Sequence, residues 1–359
     1  MLLRAKLILA DGLTFEGVSF GYNFSVSGEV VFNTGMTGYN ESLTDPSYSG
    51  QILCLTYPLI GNYGVPKKII ENGLIKNFES EKIQIKGLIV NQYSKEYSHY
   101  SAIKSLGDWL KEEKIPAITG IDVRELTKIL REKGTMLGKI VIENDIPLTN
   151  PNTENLVEKV STNQVLHYGE KGKKVLLIDC GAKSNIIHSL LQRKVQVTRV
   201  PWNYDFFSKE PNTKLDFDGI MISNGPGDPK MCTSTISNIR KAIENEIPTF
   251  GICLGNQLLA LASGADTYKL KYGHRGQNQP VYLVGEKKCF ITSQNHGFAV
   301  NEKTLAKGWE EWMRNANDET NEGIRHKTKP FFSVQFHPEA NPGPIDTAFL
   351  FDEFIKVLK

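Results

Sequence analysis

No apolar run in this 359-residue chain approaches the roughly 20 residues that cross a bilayer. The N-terminal stretch Met1 to Gly12 makes a poor signal peptide, because Arg4 and Lys6 break its short apolar run and a turn signal follows at Asp11-Gly12. A cytoplasmic location without membrane contact is therefore expected. The five cysteines, Cys54, Cys180, Cys232, Cys253 and Cys289, are odd in number and scattered, and no CxxC occurs. That argues against a disulfide frame and a cysteine metal site, so reduced thiols and no metal are expected. Charge of one sign is also missing. A formal net charge of +2, spread along the chain, gives no footprint for nucleic acid. No Walker-type glycine loop occurs, so no nucleotide-phosphate cradle is expected. What is present, 40% hydrophobic and 23% charged residues, suits a globular chain long enough for two domains.

The stretch that organises the chain is Pro248-Thr-Phe-Gly-Ile-Cys-Leu-Gly-Asn-Gln-Leu-Leu-Ala-Leu-Ala-Ser-Gly264. Thr249, Phe250 and Ile252 suit a buried strand, and Leu258, Leu259, Leu261 and Ala262 follow on a helical period. Between them lies Gly251-x-Cys253-x-Gly255, with the logic of a nucleophile elbow. The turn is too sharp for side chains at the flanking positions, and the cysteine is set at a helix N-terminus that favours thiolate and can hold an oxyanion. A buried core cysteine is the bland alternative. A cysteine nucleophile needs a base, and the base an orienting carboxylate. Near the C-terminus, Phe331-Phe-Ser-Val-Gln-Phe-His-Pro-Glu339 is an apolar strand ending in His337, with Glu339 turned back by the intervening proline. Cys253, His337 and Glu339 form a candidate triad.

Gly251-Ile-Cys-Leu-Gly255, Ser293-Gln-Asn-His-Gly-Phe-Ala299 and Gln335-Phe-His-Pro-Glu339 together resemble class I, triad-type glutamine amidotransferases. Gly28-Glu-Val-Val-Phe-Asn-Thr-Gly-Met-Thr-Gly-Tyr-Asn-Glu41 and Thr44-Asp-Pro-Ser-Tyr-Ser49 narrow the resemblance to the small, glutamine-hydrolysing subunit of carbamoyl-phosphate synthetase. So do Leu55-Thr-Tyr-Pro58, Gly61-Asn62 and Gly120-Ile-Asp-Val-Arg124. The resemblance covers essentially the whole chain.

It implies an α/β protein. A doubly wound, mainly parallel sheet is preceded by a mixed, β-rich N-terminal domain. The boundaries are set at 1–150 for the N-terminal domain, which docks the synthetase partner, 151–172 for a linker and 173–359 for the amidotransferase domain. In the first, short strands are expected at Leu7 to Ala10, Thr14 to Gly17, Glu29 to Asn33 and Lys86 to Asn91. Thr34 to Gly64, rich in Gly, Tyr, Asn, Ser and Pro, reads as a surface loop or as a surface wedged between two bodies. Two helices follow, one marked by Ile103, Leu106 and Leu110, the other capped by Asp122 and stopping at Gly134. From Lys174 the pattern alternates strand and helix, the signature of a parallel sheet. Ligands bind beyond the carboxyl ends of such strands, and Asn224, Cys253 and His337 lie just past expected ends. Four short antiparallel strands are expected between Tyr268 and Val300, with Gln294 to Phe298 as a polar loop.

The resemblance implies L-glutamine as substrate, bound by the positions matching Ser47, Gly225, Gly227, Gln257, Asn295, Gly297 and Phe298. The Leu254 N–H, directly after the nucleophile, should donate to the oxyanion. It implies no cofactor in this chain, with ATP and Mg used by a large synthetase subunit. His296 is a rival base, but Asn-His-Gly supplies no orienting carboxylate as His-Pro-Glu does. Three positions depart from the family pattern. Asn256 stands where His is common, and Gly273-His-Arg-Gly-Gln-Asn-Gln-Pro280 changes Arg275 and Gln279 from the usual histidines. Other amidotransferases of the class, a free-standing cysteine hydrolase and a non-catalytic scaffold remain as alternatives on residues alone.

Overall fold

The computed structural model describes residues 3–208 and 215–359, so Met1 and Leu2 of the N-terminal stretch lie outside it. It divides into two compact units, residues 1–71 with 75–154, and residues 72–74 with 155–359.

The first unit is built on a closed seven-stranded barrel: β1 (Arg4–Leu9), β2 (Thr14–Ser19), β3 (Val26–Asn33), β4 (Gln51–Leu55), β5 (Gly87–Ile89), β6 (Ala117–Thr119) and β7 (Met136–Val141). Around the barrel they run β1-β7-β3-β4-β5-β6-β2, so the sheet has no open edge. The three pairings β3–β4, β4–β5 and β5–β6 are parallel and the rest antiparallel. Val30, Val31, Ile52, Leu53, Cys54, Leu88 and Ile89 are fully buried.

The Thr34 to Gly64 stretch is largely core. It forms helix α1 (Tyr39–Thr44), a single turn over Pro46–Tyr48, and β4. Its aromatics go inside because their polar atoms are satisfied there. Tyr39 Oη donates to the Gly64 carbonyl at 2.8 Å, Tyr48 Oη accepts from Asn33 Nδ2 at 2.7 Å, and the Tyr39 and Tyr63 rings stack at 4.0 Å. Ile103 is a correction. It lies exposed on a short strand, Ala102–Lys104, and α2 (Leu106–Glu112) starts only after Ser105, whose side chain accepts from the Asp108 N–H. A β-branched residue just before an N-cap had mimicked the helical period. α3 (Val123–Lys133) begins at Asp122, which accepts from the Glu125 N–H at 2.9 Å, and ends at Gly134.

The second unit is a ten-stranded sheet. Its strands are β8 (Leu166–Tyr168), β9 (Lys174–Asp179), β10 (Gln196–Pro201), β11 (Gly219–Ile222), β12 (Thr249–Ile252), β13 (Asp266–Leu283), β14 (Cys289–Asn301), β15 (Trp309–Asn315), β16 (Asn321–His326) and β17 (Phe331–Val334). The order is β8-β10-β9-β11-β12-β17-β16-β15-β13-β14. From β10 to β17 the five neighbours are parallel, and the flanking strands extend the sheet in antiparallel fashion. Within 151–172, α4 (Leu156–Val160) is capped by Asn155, and β8 edges the sheet, too short for its alternation to read from sequence. The helices α5 (Ser184–Gln192), α6 (Thr233–Glu244), α7 (Leu254–Ala262) and α8 (Phe349–Val357) complete the unit.

Two long strands replace the four short ones expected after α7. β13 and β14 pair across their length with register shifts at 269–274 and 276–279. Glycine and polar residues there hide the alternation but do not end the ladder. Gln294 to Phe298 is therefore mid-strand, not a loop, and His296 is buried.

Candidate active site

β12 is buried throughout and paired in parallel on both sides, by β11 and by β17. Its two neighbours end beside it, so the segments after them emerge at one edge. These carry Asn224 and Gly225, Cys253 and Leu254, and Gln335 to Glu339. Three separate stretches of sequence meet there because the strands are parallel.

Cys253 itself has φ 55° and ψ −103°, a strained conformation for a residue with a side chain. Its N–H is tied to the Val334 carbonyl at 2.8 Å, and α7 starts at the next residue. The flanking glycines are a steric necessity. A Cβ on Gly251 would stand 2.4 Å from the Gly255 carbonyl oxygen, and one on Gly255 would stand 2.3 Å from the Ile222 oxygen. Gly255→Ala is therefore expected to lower stability by about 1–3 kcal/mol or more, read as a fall in the denaturant midpoint. An unchanged midpoint would mean that the elbow has more room than this geometry allows.

His337 Nδ1 lies 2.7 Å from Glu339 Oε1, and both side chains are buried. The other ring nitrogen, Nε2, has no hydrogen-bond partner among the described residues. Burial alone would lower the imidazole's pKa. Glu339 first and the Cys253 sulfur next outweigh it, and His337 is raised above the ordinary histidine range. Burial would likewise raise Glu339, but Lys183 and His337 hold its carboxyl below the usual range. Lys183 was not singled out from the sequence. It caps α5, is buried, and reaches Glu339 Oε1 at 3.2 Å and the Ala340 carbonyl at 2.6 Å. A lysine after Gly-Ala at a strand end reads as solvated, and only the fold turns it inward.

Gln335 is the second residue that sequence reasoning missed. Its amide orientation is fixed by a backbone carbonyl. Gln257 Nε2 donates to the Phe298 oxygen at 2.9 Å, so Gln257 is a donor there, and the same nitrogen donates to Gln335 Oε1 at 3.1 Å. Asn256 Nδ2 donates to that oxygen too, at 3.1 Å, and Asn256 Oδ1 accepts from Ser333 Oγ at 2.8 Å. With its oxygen committed, Gln335 presents its N–H to Cys253 Sγ at 3.7 Å. Such a donor stabilises thiolate over thiol. Gln335→Leu should slow glutamine hydrolysis about 10–100-fold, the worth of one hydrogen bond to a charged group. Activity within twofold of the unmodified chain would remove Gln335 from the site. Asn256, a departure from the family pattern, thus has a place in this chain of amides. Arg275 is buried and donates to the Tyr272 carbonyl at 2.8 Å, and Gln279 Oε1 accepts from Asn317 Nδ2 at 3.4 Å.

The other expected residues fall as follows. Gly225 sits against the Cys180 carbonyl and the Leu254 side chain, and Gly227 faces Leu156. Leu254 is the first residue of α7, where an N–H has no acceptor within the helix. The Asn295 carbonyl accepts from Cys253 Sγ at 3.6 Å, Gly297 lies near Arg275, and Phe298 carries the carbonyl that holds Gln257. Ser47 belongs to the first unit, in the turn Pro46–Tyr48 that Asp45 caps. His296, the rival base, has Nδ1 on the Phe298 carbonyl and Nε2 facing Gln294 Oε1, so neither nitrogen serves Cys253.

A strand-turn-helix cysteine beside a histidine–glutamate pair, past the carboxyl ends of a parallel sheet, defines a class of domain. The family model for class-I glutamine amidotransferases matches residues 176–357, and that for the carbamoyl-phosphate synthase small chain, CPSase domain, matches residues 7–140. The chain is 49% identical, over 98% of its length, to the arginine-specific small chain of carbamoyl phosphate synthase from Debaryomyces hansenii, and covers 85% of that protein. The chain belongs to the carbamoyl-phosphate synthase small-chain family. It is also 51% identical to the human mitochondrial carbamoyl-phosphate synthase [ammonia] over 99% of its length, and 54% identical to multifunctional protein CAD of Squalus acanthias over 98%. It spans only 24% and 16% of those two longer relatives.

Proposed function

We propose that this chain hydrolyses L-glutamine to glutamate and ammonia and delivers the ammonia to a large synthetase subunit, which makes carbamoyl phosphate from bicarbonate and ATP. The observation that carries this reading is His337, held at Nδ1 by Glu339 with its Nε2 uncommitted, in the field of a cysteine on a strained elbow. Cys253 thiolate attacks the side-chain amide carbon, and the Leu254 N–H and the Gly225 region hold the oxyanion. His337 gives its proton to the amide nitrogen, so the C–N bond breaks, ammonia leaves and a thioester remains. His337 then takes a proton from water, the hydroxide attacks the thioester, and glutamate leaves as the thiol re-forms. Glu339 orients the ring throughout.

Gly225, Gly227, Gln257, Asn295, Gly297 and Phe298 bind glutamine. Residues 1–150 dock the synthetase, 151–172 connect, and 173–359 carry the glutaminase. This chemistry needs no cofactor in this chain. ATP and Mg are used by the partner. The product serves arginine or pyrimidine biosynthesis, and the arginine-specific name of the yeast relative supports the first. The proposed location is cytoplasmic. Among the described residues no helix is long and apolar enough to cross a membrane, and the name of the human relative is mitochondrial, so cell fractionation is the check.

The name of the human relative gives ammonia as its nitrogen source. The test is therefore direct. The chain, purified with any ATP-binding subunit that accompanies it, is assayed for glutamate release and for carbamoyl phosphate from glutamine, bicarbonate and ATP. Release of glutamate and formation of product support the reading. Product from ammonium alone, with no glutamate released from glutamine, overturns it.

A further inference from the structure

On β13, β14 and β16, three ligand-type side chains converge in the interior. His274 on β13, His296 on β14 and Glu322 on β16 are all at least nine-tenths buried, and each offers a ligand atom within 4.8 Å of the others. His274 and His296 are direct cross-strand partners, with ring centroids 5.0 Å apart.

The hydrogen bonding around them is incomplete in one direction only. His274 Nε2 is paired with Asp318 Oδ2 at 2.8 Å, and its Nδ1 stands 3.4 Å from Glu322 Oε1 with no hydrogen bond made. Glu322 Oε1 accepts from Asn315 Nδ2 at 2.9 Å, and its Oε2 has no partner among the described residues. His296 Nδ1 lies 2.8 Å from the Phe298 carbonyl, and with the proton of the neutral ring on that nitrogen a lone pair is left on Nε2. That lone pair faces Gln294 Oε1 at 3.2 Å. Gln294 Nε2 donates to Thr292 Oγ1 at 3.1 Å, and Thr292 Oγ1 donates to the Gln279 carbonyl at 2.9 Å. In this arrangement two acceptors face each other in the interior, beside Glu322 Oε2, which has no partner among the described residues, and His274 Nδ1, 3.4 Å from Glu322 Oε1.

A proton on His274 serves its Nδ1 and Glu322 Oε1 but leaves Glu322 Oε2 unpartnered among the described residues, and a second proton on His296 would place like charges with ring centroids 5.0 Å apart. One divalent cation fills all of these gaps. We propose that His274 Nδ1, His296 Nε2, Glu322 and Gln294 Oε1 form a site for a single divalent transition-metal ion, of which zinc is the type. Two imidazoles and two oxygens suit that class of ion, and the outer partners are those that orient such ligands. Asp318 and the Phe298 carbonyl take the far nitrogen of each histidine, and Asn315 holds the glutamate. Bonds of about 2.1 Å put tetrahedral ligands about 3.4 Å apart, so the side chains close inward by small rotations on binding. The ion is no part of the glutaminase chemistry. It fastens β13, β14 and β16 where β14 passes Cys253, whose sulfur contacts the Asn295 carbonyl between two of the ligands.

The experiment uses the full chain carrying Cys253→Ser, so that no thiolate at the nucleophile competes for metal. After chelator treatment it is titrated with zinc against a chromophoric competitor, and with cobalt(II) for its visible spectrum. Expected are one tight equivalent, a rise in thermal midpoint with zinc, and tetrahedral cobalt bands without a thiolate charge-transfer band. Glu322→Gln and His274→Gln should lose the tight equivalent, and Asp318→Asn should weaken it about 10–100-fold. Absence of a tight equivalent, or one that survives both ligand substitutions, overturns the proposal and leaves His274 as a buried ion pair with its carboxylates. Should a ligand variant fail to fold, the cobalt spectrum of the Cys253→Ser chain decides, and absence of tetrahedral bands is fatal.

Discussion

Cys253→Ser is expected to abolish carbamoyl phosphate formation from glutamine by the assembled complex while leaving formation from ammonium salt close to that of the unmodified complex. The substitution keeps the size of the side chain on the strained elbow, but a hydroxyl there is far less ionised than a thiol and a poorer nucleophile. The other thiols offer no substitute. Burial pushes Cys54, Cys180 and Cys232 up, which keeps them protonated, and Cys289 lies exposed on β14. Glutamate release should fall with Cys253→Ser or Cys253→Ala and survive Cys180→Ala. The measurement is product from each nitrogen source with the synthetase saturating. Equal loss with glutamine and with ammonium would show that Cys253 also supports the partner's active state.

The second large effect concerns His337. Without its imidazole there is neither an acid for the departing ammonia nor a base for water, and His337→Asn should cost about 10²–10⁴-fold in turnover. Glu339→Gln should be milder in rate, because it removes orientation and leaves the imidazole. Its cost in stability is a separate matter. Glu339 also neutralises Lys183, and both side chains are buried. Taking away one partner of a buried pair leaves a charge uncompensated. The Glu339 carboxyl is held below the ordinary carboxylate range, so its contribution is fully present above the unfolded pKa of about 4.3 and is lost as the pH falls through the lower folded value. The stability deficit of Glu339→Gln should accordingly be largest near neutral pH and shrink in acid. A deficit that grows in acid, or a Glu339→Gln variant slower than His337→Asn with both folded, would contradict the assignment of roles.

The local elements of this site are legible in the amino-acid pattern. Gly251-x-Cys-x-Gly255 between an apolar strand and a helical period specifies the elbow, because no other residue fits where a Cβ would strike a backbone oxygen. The run of alternating strands and helices from Lys174 specified a parallel sheet, and with it that Asn224, Cys253 and His337 leave at the same end. Capping chemistry placed α3, whose start at Asp122 and stop at Gly134 are local hydrogen-bond and backbone effects. Tertiary structure alone decided which polar side chains turn inward. Lys183, Gln335, His274 and Glu322 carry no local signal, since polar residues at strand ends and in short strands read as solvated. They turn inward toward partners that the fold supplies: Glu339 for Lys183, Asn256 and Gln257 for Gln335 and Asp318 for His274, all far along the chain, and Asn315 on the neighbouring strand for Glu322. The alternation of β13 and β14 was hidden for the same reason. A strand whose polar residues are paired across the sheet need not alternate in hydrophobicity, because the energy that holds it comes from hydrogen bonds made at long range.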